Sequence, residues 1–467
     1  MPKEEEQEFI REFECKGEWW FPKNKGKKVC GILRFNVESG GKLEVVGRRI
    51  TIWNASSLWL KPVTLFGSSD KGDITLFDCS LSSSSASLSK LSTASFKFSE
   101  GVIGKHILKK EELVIQRVAV NYSYLNAWSD SFGIDPGETL ISFVREKEEL
   151  FFKLPQPFLL AKGNGYEIYL KARSKKSFSL TDTSKQIMLE EIPYIEVLLK
   201  KGKNTLKDYQ EFVKSMQYFL SLAVREQVFP LLFTGATSGR KPLIFFYRLS
   251  SIPVSETLLV ANFALSNIKE SINEYMKKWI DEREILEPAC ELFFSSLNRN
   301  LSPELRFSYL IQAVEGLHRA VYENGKYITD EEYRKEGGLY ETFVGVIPDS
   351  ISSDFKQSLV SGKLYYANEY ALRKRLKGML SDNYLEIINI RKTIVKKEER
   401  NGLIDKIVDT RNYYAHQDEE LKDKILKGEE LERAIEVLKA LTEIVLISEM
   451  GISVEEIKEL RRTLHPL

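Results

Sequence analysis

The first third of the chain carries short apolar runs with the spacing of β-strands. Val29–Phe35, Lys42–Val46 and Ile74–Phe77 are rich in β-branched residues and are bounded by Gly or Ser, as short strands usually are. The pattern continues to about Leu170 and predicts a sandwich-like or barrel-like β domain. Half of the residues from Ser80 to Ser99 are Ser, and we interpret this run as a solvated loop between strands.

After about residue 265 the pattern becomes helical. Apolar residues recur every three or four positions, as they do on the buried face of a helix. These helices are predicted at Asn267–Asp281, Leu305–Tyr322, Leu364–Leu380, Tyr384–Val395, Asn401–His416 and Glu429–Gly451. The Gly-containing, charged stretch Tyr327–Gly362 predicts shorter helices or loops. The fold class is therefore α+β, with a β-rich domain over residues 1–265 and an all-α bundle over residues 266–467.

Composition narrows the function classes. The net charge is +1 over 467 residues, so the charge of the whole chain does not favour binding to nucleic acid. Only a local basic patch could attract it. The four cysteines are scattered without a Cys-x-x-Cys pair, which indicates reduced thiols rather than a zinc site or a disulfide framework. Neither a secretion signal nor a bilayer-spanning apolar run is visible. We expect a cytoplasmic protein without a membrane segment, a metal or another cofactor.

The side chains best suited to chemistry lie in one predicted helix, in the stretch Asp409–His416. At about 100° per residue, Asp409, Asn412 and His416 fall on one stripe. Arg411 is close enough to swing toward that stripe, and Tyr413 adjoins it. A carboxylate, an amide, an imidazole and a guanidinium together can move protons and bind phosphate. The same spacing also fits a solvent-exposed helix surface without a catalytic role, on which Arg411 pairs with Asp409 and His416 is a cation at the helix end.

Basic residues cluster in the helices that precede this stretch. The stretch from Arg373 to Arg400 contains nine basic and four acidic residues. A basic helix surface of this kind is either only solvent-exposed or binds a phosphate backbone. Further upstream, Glu315 and His318 lie one turn apart on an otherwise apolar helix. They are too few for a metal site, which needs three or four ligands. The candidate RNA contacts in the basic cluster are Arg391, Lys392, Lys396, Lys397 and Arg400.

The helical part resembles the HEPN superfamily of helical ribonuclease and nucleotide-binding domains. The signature of that superfamily is Arg, a polar residue, a few further residues and then His, and Arg411, Asn412 and His416 match it. The helix that contains Ala313–His318 is similar to the first long helix of the superfamily, and Glu429–Gly451 is similar to its last. The β-rich half, which opens with Gly17–Pro22, resembles that of the ApeA-type anti-phage HEPN proteins, which act by abortive infection.

This resemblance implies a metal-independent endoribonuclease in which the RNA 2′-hydroxyl attacks the adjacent phosphate. It implies that Arg411, Asn412 and His416 form the catalytic set, with Asp409, Glu315 and Tyr413 in support. The residue chemistry agrees, because a histidine titrates at about pH 6.5 and can take up or supply a proton. An arginine stays charged and offers a planar fork of donors to phosphate.

The resemblance also implies partners. We expect RNA as the substrate, with tRNA as one candidate, and a homodimer through the helical domain. The β-rich domain is expected to sense a phage-derived trigger and to regulate the helical domain. A function of a different class stays open, namely a non-catalytic nucleotide- or RNA-binding module whose β-rich domain recognises a partner.

Overall fold

The chain divides into two compact units, residues 1–280 and 281–467. The computed structural model describes residues 12–47, 61–85, 91–129, 155–180, 185–200, 204–237, 242–249, 261–322, 325–390 and 395–463. The first unit is built on strands and the second on helices, which confirms the predicted α+β class.

All strands of the described part of the first unit belong to one antiparallel network of thirteen. They are β1 Glu12–Trp20, β2 Val29–Asn36, β3 Gly40–Gly47, β4 Val63–Ser69, β5 Gly72–Ser85, β6 Ser92–Phe98, β7 Glu100–Ile103, β8 Arg117–Tyr122, β9 Phe158–Gly163, β10 Tyr166–Leu180, β11 Lys185–Leu199, β12 Pro230–Ala236 and β13 Leu243–Tyr247.

Six of these strands close into a barrel. Their order is β4-β1-β2-β3-β6-β5, and β5 pairs with β4 to complete the ring. Trp19 is fully buried, and its indole nitrogen donates a hydrogen bond of 3.3 Å to the Gly31 carbonyl. A Cβ at Gly67 would lie 2.3 Å from the Trp19 ring, so this contact needs glycine. The barrel is the β domain that the short apolar runs predicted.

The Ser-rich run forms strand over most of its length, and our interpretation of it as a loop is wrong for its described residues. Strand β5 extends to Ser85, and β6 begins at Ser92. Ser85 pairs with Thr93 in the ladder between them. Main-chain pairing with a neighbouring strand satisfies the backbone whatever the side chain is, and the serines of β5 lie on the exposed side.

A second part of the sheet continues from β5 through β7 in the order β7-β13-β12-β8-β11-β10-β9. Tyr122 of β8 donates a hydrogen bond of 2.9 Å to the Val213 carbonyl, and Trp279 donates one of 3.0 Å to the Ser215 carbonyl. The first bond holds the helix Leu206–Val224 against the sheet, and the second joins the helix Ile272–Asp281 to it. The compact unit therefore extends to Ile280, beyond the point where the sequence pattern changes. The helices are α1 Leu125–Trp128, α2 Leu206–Val224, α3 Leu265–Ile268 and α4 Ile272–Asp281.

The second unit is organised around one long helix, Gly428–Glu449. Its residues from Val437 to Ile447 are all buried or nearly so, so it is packed on every side. Even Glu443 is fully buried, and its carboxylate lies 2.8 Å from the buried Arg461 guanidinium. The helices of this unit are α5 Arg283–Ser296, α6 Pro303–Val321, α7 Asp330–Arg334, α8 Leu339–Gly345, α9 Ser353–Ser358, α10 Leu372–Met379, α11 Asp382–Asn389, α12 Arg400–His416, α13 Gly428–Glu449 and α14 Val454–Thr463.

Three predicted helices differ in the structure: Asn267–Asp281 is divided into α3 and α4, and two others are shorter. Residues 365–371 precede α10 as a turn, because the buried side-chain amide of Asn368 donates to the Ile328 carbonyl and to Asp330. The helix predicted at Leu364–Leu380 therefore begins only at Leu372. Likewise α11 ends at Asn389, within the predicted Tyr384–Val395. Between α6 and α10 the predicted short helices are present as α7, α8 and α9.

Candidate functional site

Helix α12 carries the candidate catalytic residues on its last two turns. Ile404 and Ile407 are fully buried and fix one face of the helix on the bundle. The helix ends at His416 because Gln417 adopts a left-handed conformation with φ of 52°. Thr410, also fully buried, accepts a hydrogen bond of 2.9 Å from the Leu426 main chain. The last turns are therefore held by the bundle below and by the loop that follows.

Arg411 is directed toward helix α6. Its Nη2 lies 3.5 Å from Glu315 Oε2, and its Nη1 donates a hydrogen bond of 3.2 Å to Asn412 Oδ1. The Arg411 side chain remains 35% exposed, so part of its donor fork faces solvent. These contacts place Glu315 and Asn412 beside the guanidinium, where they occupy part of its donor fork.

His416 is exposed at the last position of α12. Among the described residues it forms no hydrogen bond with Arg411, Asn412 or Asp409, and Asp409 forms no ion pair with Arg411. The structure thus brings together Arg411, Asn412 and Glu315 but leaves Asp409 and His416 outside that group. One chain presents its guanidinium and its imidazole as separate groups.

Two tyrosines complete the end of α12. Tyr414 packs edge to face on Phe307 of α6, with ring centroids 6.0 Å apart, and burial, with the nearby Glu304 carboxylate adding to it, raises the pKa of Tyr414. Tyr413 is half-buried and lies close enough to Lys422 to raise the pKa of that lysine, although the main cause is the Lys422 hydrogen bond to Glu419. The Tyr414 contact places the end of α12 beside the first turns of α6.

The candidate RNA-binding residues are partly neutralised. Lys397 and Arg400 both pair with Asp382, at 2.5 and 3.0 Å, and Lys396 lies 4.0 Å from Glu399. Surface ion pairs of this kind contribute little and exchange readily with a competing anion. Arg391 and Lys392 lie outside the described residues.

A buried arginine is the feature that the sequence analysis missed. Arg375, one of the nine basic residues between Arg373 and Arg400, is only 2% exposed. Its guanidinium donates three hydrogen bonds, of 3.0 Å to His318 Nδ1, 3.1 Å to the Glu369 carboxylate and 2.8 Å to the Tyr370 carbonyl. Burial, together with the Arg375 charge, lowers the pKa of His318 to about 4, so its ring is neutral and accepts the bond. Only the position of Arg375 next to Leu376 in the apolar stripe hints at this burial.

The described part of the chain contains no group of three or more His, Cys, Asp or Glu residues placed to hold a metal ion. Nor does it contain a helix long and apolar enough to cross a membrane.

Comparisons with known proteins identify both halves of the chain. The family described as ApeA N-terminal domain 1 matches residues 14–279, more than half of the chain, and the family described as Apea-like HEPN matches residues 309–456. No curated protein and no solved structure matches the chain. The two families occur in the order expected from the sequence, and the chain therefore belongs to the ApeA family, with an ApeA N-terminal domain followed by an ApeA-like HEPN domain.

Proposed function

We propose that this protein is an anti-phage endoribonuclease whose catalytic residues are Arg411, His416 and Asn412. The observation that carries the proposal is the arrangement at the end of α12. An exposed imidazole and a half-exposed guanidinium lie within two turns of one another, in the domain that belongs to the ApeA-like HEPN family. Glu315 and Asn412 hold the guanidinium.

The reaction proposed for this set is an internal transesterification. The 2′-oxygen attacks the adjacent phosphorus, the bond from phosphorus to the 5′-oxygen breaks, and the products are a 2′,3′-cyclic phosphate and a 5′-hydroxyl end. His416 takes the proton from the 2′-hydroxyl or supplies one to the leaving 5′-oxygen. Arg411 stabilises the negative charge that the phosphate oxygens gain in the transition state.

We further propose that the site is completed by a second copy of the chain. Arg411 is directed toward Glu315, whereas His416 is exposed at the helix end and makes no contact with Arg411. A two-fold axis beside the end of α12 would set Arg411 of one protomer against His416 of the other, since an isologous interface repeats each contact twice.

The N-terminal unit is proposed to regulate this activity. In its described part the only histidine is His106, which is held by the Gly67 carbonyl at 2.8 Å and packs between Trp20 and Phe66. These contacts explain His106 as a structural residue, so the described part of this unit carries no histidine-based set for acid–base chemistry. A cytoplasmic ribonuclease must be kept inactive until infection, and a sensing domain on the same chain, responding to a phage-derived trigger, would do so. We propose RNA as the substrate, with tRNA as one candidate.

A second function is favoured by the separation of Arg411 from His416 within one chain. In that case the helical unit binds nucleotide or RNA without cleaving it, and Arg411 serves only as a phosphate contact. The β-rich unit would then recognise a partner.

A single 2′-deoxy substitution separates the two functions. The cleavage position is first mapped in a natural RNA, and the same RNA is then made with 2′-deoxyribose at that nucleotide. The ribonuclease proposal expects cleavage at that position to stop while the affinity changes little, because phosphate contacts dominate binding. Cleavage of the 2′-deoxy substrate at the same bond would overturn it, and binding without any cleavage of the natural RNA would favour the second function.

A further inference from the structure

Two tyrosines that lie between α6 and α10 form a cluster with a lysine of α10, in which Tyr327 and Lys374 are exposed and Tyr370 is half-buried. The rings of Tyr327 and Tyr370 meet edge to face, with centroids 4.8 Å apart and an angle of 78°. The Lys374 ammonium lies 4.5 Å from the first centroid and 4.4 Å from the second. Tyr327 is 58% exposed, so a flat ligand could reach its ring. We call Tyr327, Tyr370 and Lys374 the tyrosine–lysine platform.

The main chain on either side fixes the two rings. The Tyr327 amide donates a hydrogen bond of 2.7 Å to the Asn368 carbonyl, and the Tyr370 amide donates one of 3.1 Å to the Gly325 carbonyl. Asn368 is itself buried. The exposed Tyr327 ring is therefore mounted on an ordered segment, which lowers the entropy that a ligand would lose on binding to it.

Arg375 supports the platform from inside. Its Nε donates a hydrogen bond of 2.8 Å to the Tyr370 carbonyl, and its two other donor groups are engaged by His318 and Glu369. A buried guanidinium that is bonded on three sides can hold only one position. Arg375 is thus a positioning residue for Tyr370.

The electrostatics of this surface favour an anion. Helix α10 carries four basic residues and no acidic one. Arg373 is paired with Asp405 at 2.5 Å and Arg375 is buried. Within the described part of the chain, neither Lys374 nor Lys377 has a carboxylate partner, and both are exposed. The Lys374 ammonium therefore lies beside an exposed aromatic ring without a carboxylate partner among the described residues, and Lys377 follows one turn later on the same helix.

Single-stranded RNA fits this combination better than duplex RNA or an apolar protein surface. Bases of a single strand stack on aromatic rings, and the flanking phosphates bind lysine and arginine. A duplex keeps its base faces internal, and an apolar partner would leave the Lys374 charge without a counterpart.

The platform is connected to the candidate catalytic residues through helix α6. Arg411 pairs with Glu315, and His318, one turn further along α6, accepts a hydrogen bond from Arg375. Arg375 in turn bonds the Tyr370 carbonyl. The platform and Arg411 are therefore linked by a continuous series of side-chain contacts within the same unit of the protein.

We propose that the tyrosine–lysine platform binds single-stranded RNA next to the catalytic residues, with a base stacked on Tyr327 and a neighbouring phosphate held by Lys374. The proposal rests on the ribonuclease function, since the strand held is the substrate. The platform would make unpaired segments of an RNA the preferred place of cleavage.

The test measures binding separately from cleavage. The probe is a fluorescent single-stranded RNA of about 12 nucleotides, within the range of common site sizes, with 2′-O-methyl groups throughout so that no 2′-hydroxyl can attack. Full-length Tyr327→Ala should bind it about 5- to 150-fold more weakly than wild type, since one base stack contributes about 1–3 kcal/mol. Tyr327→Phe keeps the ring and should bind like wild type. Lys374→Gln should bind more weakly and reduce the slope of log Kd against log salt concentration by about 0.7.

Two matched controls remove comparable groups elsewhere on the same segment. Phe355 is an aromatic residue that is 52% exposed, and Lys335 is an exposed lysine. Phe355→Ala and Lys335→Gln should leave the affinity unchanged. Circular dichroism of every variant confirms that the fold is retained.

Each outcome decides the proposal. Equal affinities of Tyr327→Ala and Tyr327→Phe would overturn the platform, as would equal weakening by Phe355→Ala. A change of molar mass in Tyr327→Ala, with RNA affinity retained, would also overturn it and identify the surface as a contact between copies of the chain. If wild type cleaves RNA while these variants bind normally, only the platform fails. If wild type binds the probe through Tyr327 but cleaves no RNA, only the proposed function fails.

Discussion

The Arg411 guanidinium lies 3.5 Å from the Glu315 carboxylate, across the space between α12 and α6. This carboxylate occupies part of the donor fork that a phosphate would need. Glu315→Gln should therefore tighten the binding of a 2′-O-methyl RNA by up to about fivefold at low salt, the range expected for releasing a partly exposed ion pair. Glu315→Asp keeps the charge and serves as the control. Weaker binding by Glu315→Gln would mean that Glu315 instead orients Arg411 for the phosphate.

His416→Ala and Arg411→Ala should each lower the rate of RNA cleavage by at least two orders of magnitude, because catalytic groups that act together are lost together. His416 is exposed and Arg411 half-exposed, so the thermal unfolding midpoint should hardly change. Lys406→Ala removes an exposed cation from the same helix as a control. Cleavage by either catalytic variant at the wild-type rate would exclude that residue from the site.

Mixing the two inactive variants tests the composite site. If each site takes Arg411 from one protomer and His416 from the other, a mixed dimer of Arg411→Ala and His416→Ala contains one intact site. Random exchange should then restore about a quarter of the wild-type activity, since half of the dimers are mixed and each has one working site of two. Light scattering should report a dimer at micromolar concentration. Exchange without any recovered activity would show that both residues act within one protomer.

Regulation by the N-terminal unit can be tested by expressing residues 281–467 alone. The division at Ile280 is preferred because Trp279 and Ile280 are buried in the first unit and should stay with it. The proposal expects this fragment to cleave RNA without a trigger and to be toxic to cells, and His416→Ala in the fragment should abolish both effects. A folded fragment without activity would show that the N-terminal unit supplies part of the site.

The His318–Arg375 hydrogen bond predicts a pH dependence of stability. In the unfolded chain a histidine binds a proton as the pH falls through about 6.5, whereas the folded pKa of His318 is about 4. The stabilisation is therefore complete above pH 6.5 and is lost as the pH falls toward 4, by about 2 kcal/mol at pH 5. His318→Gln retains an acceptor for Arg375 but does not titrate. From pH 7 to pH 5 its melting temperature should fall about 4–8 °C less than that of wild type. If the melting temperatures of wild type and His318→Gln fell equally between pH 7 and pH 5, the low pKa of His318 would be contradicted.

The sequence by itself determined the elements whose pattern is local. The apolar stripe that contains Ile404 and Ile407 predicts helix α12, because one face of a helix repeats every 3.6 residues and must be buried. The short β-branched runs predict strands for the same reason with a period of two. The motif Arg411, Asn412 and His416 is also local, since all three lie on one helix. These features therefore predicted the fold class, the family and the candidate residues.

Only the tertiary structure decided which side chains meet. Periodicity gives the face of the helix on which a residue lies but not the residues that pack against that face. The sequence therefore allowed Arg411 to form an ion pair with Asp409 as well as with its actual partner Glu315, which lies about a hundred positions earlier. Arg375 looked like one more surface cation until α6 supplied His318 as an acceptor. The Ser-rich run became strand for a related reason, since β5 and β6 satisfy each other's main chain. Each of these contacts joins residues from separate elements, and the energy of such a contact exists only once the chain has folded.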